Sequence, residues 1–153
     1  MTRRFKIDDL DLKIIRELQK DARKSFRDVA AKLKIAEGTV YNRVKKLEEM
    51  GVIKGYVLDI DYAKLGFDIV AVMGVVVEGA KLVQVEKEIS RMPETVAVYD
   101  VTGTYDVIVI AKFQDTSSMN NFVKRILGIK AVQRTYTMVV LNVVKESPFL
   151  TII

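Results

Sequence analysis

The chain has 153 residues, half of them hydrophobic, with 25 Lys and Arg against 20 Asp and Glu, and it contains neither histidine nor cysteine. That length and apolar share suffice for one large or two small packed domains and exclude disorder as the main state. The missing cysteines remove disulfides and thiolate metal sites, and the missing histidines remove the commonest acid-base and metal-ligating side chain, so the expectation is a binding protein that is not an enzyme and holds no cofactor.

No P-loop or G-x-S-x-G motif supplies another chemistry. The basic start, Arg3, Arg4 and Lys6, runs into Asp8, Asp9 and Asp11 where a signal peptide would place its apolar core. The longest apolar stretch, 69–77 with Gly74 inside it, is far short of the roughly 20 residues that span a bilayer. A cytoplasmic chain without a membrane segment is expected. Residues 1–60 carry 15 Lys and Arg against 10 Asp and Glu, whereas 61–153 carry 10 of each. This asymmetry suits a first domain that touches a polyanion and a second with another task; a solvated basic surface is the competing reading of the charge alone.

Ile7, Leu10, Ile14, Ile15 and Leu18 recur on one helical face, with Asp8 and Asp9 as candidate caps, and predict a first helix ending near 21–23. Ser25 with Asp28 three residues on reads as the cap of a second, short helix whose apolar face is Phe26, Val29, Ala30 and Leu33. Val40, Val44 and Leu47 define a third helix, closed at Met50 and Gly51, where glycine can take the left-handed cap conformation. Two short helices joined tightly after a first make a helix-turn-helix pattern. Opposite the apolar stripe of the third helix lie Gly38, Asn42, Lys45 and Glu49, flanked by Thr39, Tyr41, Arg43 and Lys46. Glu37, Gly38, Thr39, Tyr41, Asn42, Arg43, Lys45 and Lys46 form the candidate DNA-facing set: Thr39, Tyr41 and Asn42 toward base edges, and Arg43, Lys45 and Lys46 toward phosphates.

Residues 52–61 read as a short hinge strand, with Gly55 and Gly66 as bending points and the domain boundary near 60. A strand over 67–78 follows, then a helix bearing Leu82, Val85, Ile89 and Met92 that stops at Pro93. Strands over 95–102 and 105–113 flank Gly103 and Thr104, a pair suited to a type II′ hairpin. Asp115 caps a helix with Met119, Phe122, Val123, Ile126 and Leu127, and 132–144 is the last strand. The order is β-α-β-β-α-β, so the expected fold class is α+β: a helix-turn-helix domain with its hinge strand over 1–60, then a ferredoxin-like sandwich over 61–153. Two helices cover one face of a four-stranded sheet, yet the first and last strands are apolar on both faces. A second copy is the expected cover, through an obligate interface on the order of 2,000 Å².

The run Ile7-Asp8-Asp9-Leu10-Asp11-Leu12-Lys13-Ile14-Ile15, then Thr39-Val40-Tyr41-Asn42-Arg43-Val44-Lys45-Lys46-Leu47-Glu48, Gly51-Val52-Ile53 and Thr102-Gly103-Thr104-Tyr105-Asp106 resembles the Lrp/AsnC regulators, also called feast/famine regulatory proteins. The resemblance covers nearly the whole chain. It implies a transcriptional regulator on double-stranded DNA with a palindromic operator, a dimerising second domain that assembles further to an octamer, and a small amino-acid effector. The effector would lie between dimers against residues matching Thr102, Gly103, Thr104, Tyr105 and Asp106 and a strand matching Thr135 and Thr137. The bare readings of these residues are a hairpin turn at Gly103 and Thr104 and a strand-end carboxylate at Asp106. One departure stands out: where the family usually caps its recognition helix with serine, this chain has Ala36, followed by Glu37 and Gly38, and glycine has no side chain to read bases. A constitutive DNA-wrapping protein is the alternative within this class, and an amino-acid-binding regulatory subunit lies outside it.

Overall fold

A computed structural model of the chain describes residues 6–147, 149 and 150. It divides into two compact units, the first reaching Asp59 and taking in Ser147, Phe149 and Leu150, the second running from Ile60 to Glu146. The basic start at Arg3 and Arg4 lies outside the described residues.

The first unit is helical. Helix α1 (Asp9–Lys20) begins at a capping box: the Asp8 side chain accepts from Asp11 N–H, and the Asp11 side chain accepts from Asp8 N–H, each at 3.0 Å. In α2 (Phe26–Leu33), Ser25 Oγ accepts from Asp28 N–H at 3.1 Å, as the spacing predicts. Lys34 closes α2 in the left-handed conformation and turns the chain tightly into α3 (Glu37–Glu49). Ile14, Leu18, Val29, Ala30, Val40 and Val44 form the core where the three helices meet. Helix α1 ends at Lys20, slightly before the expected 21–23.

Two acids of α1 are buried, Asp11 and Glu17. A buried carboxylate must be paired or it loses its charge. Glu17 accepts from Lys20 Nζ at 2.6 Å and Lys24 Nζ at 2.7 Å, and these two bonds hold its carboxyl at about 2 against the usual 4.5.

Residues 52–61 form no strand. Val52 and Ile53 N–H instead donate to Leu47 O at 2.9 and 3.2 Å, finishing α3, and Ile53 packs on the helical core. A strand needs an edge to pair with, and the described residues of the first unit offer only helices. Gly55 and Gly66 do take positive φ, Gly66 ending a single 3₁₀ turn over Ala63–Leu65.

The second unit is a four-stranded antiparallel sheet in the order β2-β3-β1-β4. Its strands are β1 (Ile69–Val77), β2 (Thr95–Asp100), β3 (Val107–Phe113) and β4 (Val132–Val139), with α4 (Leu82–Ser90) and α5 (Thr116–Leu127) in the crossovers. Asp115 and Ser118 cap α5 reciprocally. Met73 and Val75 of β1, Val107, Val109 and Phe113 of β3, Val85 and Ile89 of α4, and Phe122 and Ile126 of α5 make one buried core, with the Phe113 and Phe122 rings edge-on at 5.2 Å. Both helices therefore lie on one face, the ferredoxin-like split.

The last strand is shorter than the expected 132–144. Ala71 pairs with Val139 and Val70 O accepts from Val140 N–H at 2.8 Å, after which β1 has run out of residues to pair with and Leu141 and Val144 stand exposed. The hairpin also differs from a two-residue type II′ turn: Val101 N–H donates to Asp106 O at 3.0 Å, leaving 102–105 as a wider loop. Gly103 there has φ +124, a value outside that turn type and one that residues with a side chain rarely adopt.

Because Glu17 is held below its ordinary value, its contribution is fully present above about pH 4.5 and is lost as pH falls toward 2. Thermal unfolding followed from pH 6 to pH 2 is expected to show Glu17→Gln as less stable than the parent at pH 6 and less steeply dependent on acid below pH 4.5.

Candidate DNA-binding surface and ligand loop

Helix α3 buries Val40, Val44 and Leu47 and turns Glu37, Gly38, Tyr41, Asn42, Lys45 and Glu49 to solvent, while Thr39, Arg43 and Lys46 are half-buried at the flanks. Asn42 and Lys45 sit at the centre of the exposed stripe. Tyr41 is braced by its neighbour helix, its ring edge-on to Phe26 at 6.3 Å. A short amide and a cation one turn apart on an exposed helix have the reach for base edges and phosphates respectively.

Arg43 is placed differently from Lys45. Its guanidinium reaches back to α1, donating to Asp11 Oδ1 at 3.0 Å and to Asp8 Oδ2. The hydrogen bonds to Asp8 and Asp11 raise the Arg43 pKa, and the Arg43 bond is the main reason the Asp8 carboxyl sits at about 2. One cation thus bridges both carboxylates of the α1 capping box and fixes α3 against α1. Sequence spacing alone puts Arg43 among the phosphate contacts; the partners that engage it lie more than thirty residues earlier in the chain. The signal available was the acids at Asp8 and Asp11, of which only Asp8 is read from sequence as a candidate cap.

At the start of α3, Ala36 makes no side-chain cap, and Thr39 N–H and Val40 N–H are served by Ala36 O in ordinary helical fashion. Thr39 does not replace the missing serine.

In the second unit, the exposed tip Thr102, Gly103 and Thr104 rises from a fixed base. Asp106 N–H donates to Val75 O at 3.0 Å, and Asp106 Oδ2 accepts from Val77 N–H at 2.8 Å, the carboxylate taking over the ladder where β1 and β3 separate. Asp106 is therefore at least a strand-end carboxylate. The Tyr105 ring lies on the helix-free face of the sheet above Gly74 and packs 5.3 Å from the ring of Tyr136, whose hydroxyl accepts from Arg134 at 3.1 Å.

Thr135 and Thr137 pair with Val75 and Met73, so they share the helix-side face of the sheet, and the loop meets β4 through Tyr136 instead. Gly74 was legible only as a glycine inside an apolar strand. Among the described residues, no three His, Cys, Asp or Glu side chains converge to hold a metal, and no helix is long and apolar enough to cross a membrane.

A helix-turn-helix unit presenting a polar, partly basic helix, coupled to a ferredoxin-like unit, defines a DNA-binding transcriptional regulator with a separate ligand-binding module. Family comparison agrees: residues 7–54 match the winged helix-turn-helix DNA-binding family and residues 70–150 the Lrp/AsnC ligand binding domain. The chain belongs to the Lrp/AsnC family of transcriptional regulators. It is 51% identical to an HTH-type transcriptional regulator of Pyrococcus abyssi over 92% of this chain and 95% of that one. Against the HTH-type transcriptional regulator FL11 of Pyrococcus furiosus it is 37% identical over 92% of this chain and 93% of the other. Among solved structures, LrpC of B. subtilis superposes with a TM-score of 0.81 at 28% identity, covering 93% of this chain and 99% of that one. AsnC of E. coli shares the fold, with a TM-score of 0.84 at 24% identity over 97% and 99% of the two chains.

Two substitutions separate the roles on α3. Lys45→Ala is expected to flatten the slope of log affinity for DNA against log salt by about one and to leave thermal stability unchanged. Arg43→Gln is expected to cost about 1–2 kcal/mol in unfolding free energy, below the buried-pair range because the Arg43 side chain is 29% exposed. Salt titrations of DNA binding and denaturant unfolding of both variants check this. Ala36→Ser is expected to stabilise the chain by about 1 kcal/mol by supplying the absent cap, seen as a higher unfolding midpoint.

Proposed function

We propose that this regulator responds to a small amino acid and binds a palindromic operator as a homodimer that assembles further, to an octamer, in the cytoplasm. The observation that carries the DNA half is the exposed Asn42–Lys45 stripe of α3, opposite a fully buried stripe, in the unit that holds the entire positive excess. Each protomer lays α3 in the major groove of one half-site, with Thr39, Tyr41 and Asn42 at base edges and Lys45 and Lys46 at phosphates. Arg43 acts mainly from behind, by fixing the helix that carries them. Glu37 and Gly38 enter at the groove edge, where glycine admits close approach of the backbone.

The dimer reading rests on the helix-free sheet face. Val70, Val72 and Val76 of β1 with Ile108 and Ile110 of β3 are half-buried there, and Tyr99, Tyr136 and Met138 are exposed. An apolar face of this extent is covered in water by a complementary one, and a second copy supplies it with two-fold symmetry.

For the effector, the match of 70–150 to a ligand-binding domain is joined by a fold neighbour from Neisseria meningitidis whose structure is a complex with L-Met. The tip Thr102, Gly103 and Thr104 offers hydroxyl and backbone donors to a carboxylate. A carboxylate that has accepted one hydrogen bond retains acceptor capacity for an ammonium, which supports Asp106 as the partner of that group. Thr135 and Thr137, which lie on the opposite face of the sheet from Tyr105, would join the site from a neighbouring dimer. An effector that binds one assembly better than another shifts both assembly and DNA affinity.

A thermal-shift screen against the twenty common amino acids, followed by light scattering and DNA titration with any hit, tests the reading. The expected result is one amino acid, or a chemically related few, that raises the unfolding temperature and changes both assembly mass and DNA affinity. DNA binding with no response in any channel favours the constitutive DNA-wrapping alternative and ends the sensor reading.

A further inference from the structure

Gly74 lies in the middle of β1, between the fully buried Met73 and Val75, and its φ is not positive, so the backbone there does not call for glycine. A central strand loses stability by carrying a residue without a side chain, and glycine is found there where something else approaches the backbone closely. Here that something is Tyr105. A Cβ built on Gly74 would fall 2.5 Å from Cδ1 and Cγ and 2.7 Å from Cε1 of the Tyr105 ring, distances no real pair of such atoms tolerates. At other glycines such as Gly38, Gly51 and Gly103 a Cβ would meet nothing within 4 Å.

The contact is part of a fixed base. Tyr105 is followed by Asp106, whose N–H is bonded to Val75 O and whose carboxylate is bonded to Val77 N–H, so the loop is pinned to β1 immediately beyond Gly74. Tyr136, directly paired with Gly74 on β4, stands beside the seated ring at 5.3 Å. The offending atoms belong to the base of the ring, not to a flexible tip, so a methyl group at position 74 must move the ring as a body. Moving the ring moves the main chain of 102–105 that carries it.

We propose that Gly74 is a positioning residue for the ligand loop: its absent side chain is the seat that holds Tyr105 and thereby sets the pose of Thr102, Gly103 and Thr104. The inference rests on the reading of that loop as the amino-acid site. Pre-setting the loop lowers what the ligand must spend on ordering it. Gly74→Ala therefore weakens effector binding through Tyr105 and the loop it carries, with no ligand contact of its own.

Two measurements test this on the full-length chain. The first is a double-mutant cycle read by thermal unfolding, with Gly74→Ala, Tyr105→Ala and the double variant. The expected result is that Gly74→Ala lowers the midpoint strongly when Tyr105 is present and little when it is alanine; equal lowering in both backgrounds overturns the seat. The second is calorimetric affinity for the amino acid that most raises the parent's unfolding temperature among the twenty. Gly74→Ala is expected to lose about tenfold, or about 1.4 kcal/mol, while Ile89→Val, which loosens the core on the other face of the sheet, keeps the parental affinity.

Parental affinity in Gly74→Ala overturns the inference alone. Equal loss in Ile89→Val also overturns it, because the effect would then be one of general stability. If the parent itself responds to no amino acid, the effector reading fails and the assignment of Gly74 to a ligand loop fails with it, whatever the unfolding cycle shows.

Discussion

Two helices can blanket only one face of a four-stranded sheet, and most of what distinguishes the second unit follows from that constraint. Helices α4 and α5 seal Met73, Val75, Val109 and Phe113 beneath them, and the core is complete on that side. The other face of the same strands is apolar as well, with Val72, Val76 and Ile110 in its middle. A sheet that serves only as a scaffold would be polar there. That is the face the proposed second copy would cover, and the loop 102–105 stands beside it, with Tyr105 reaching onto it.

The first unit depends on a smaller device. Its three helices are short, and short helices owe their stability to packing and to their ends more than to propensity. Val29, Val40 and Val44 supply the packing. The ends are supplied by Asp8, Asp11 and Ser25 and, at α3, by nothing beyond the backbone. Arg43 joins the capped start of α1 to the uncapped α3, so the least secured helix is tied to the best secured one. The helix that presents Asn42 and Lys45 is held in place by a neighbour's cap.

These two arrangements place charge and apolar surface in different units. The basic excess lies in 1–60, where a polyanion can use it, and the apolar face lies in the sheet, where it would weaken nothing that depends on charge. Salt acts on the first kind of contact far more than on the second. In the regulator proposed above, assembly and grip on DNA would then rest on separate physical forces.

Sequence alone determined the elements and their order. Periodicities of 3.6 and 2 residues, together with Ser25, Asp8, Asp115 and Pro93, are local signals, and they located three helices, the β-α-β-β-α-β succession and the two-sided apolar character of β1. It also located the exposed stripe of α3, because burial on one side of a helix dictates exposure on the other. Tertiary structure decided whatever depends on a partner distant in the chain. That Arg43 faces Asp8 and Asp11 is set by how α3 packs on α1; that 52–61 forms no strand is set by the lack of a neighbouring edge; that β4 stops at Val139 is set by where β1 begins. Gly74 gives the same lesson, since a glycine in a strand shows that something comes close, and only the folded sheet shows that it is the ring of Tyr105. Local patterns report the backbone's own preferences, whereas side-chain roles are settled by whichever groups folding brings within a few ångströms.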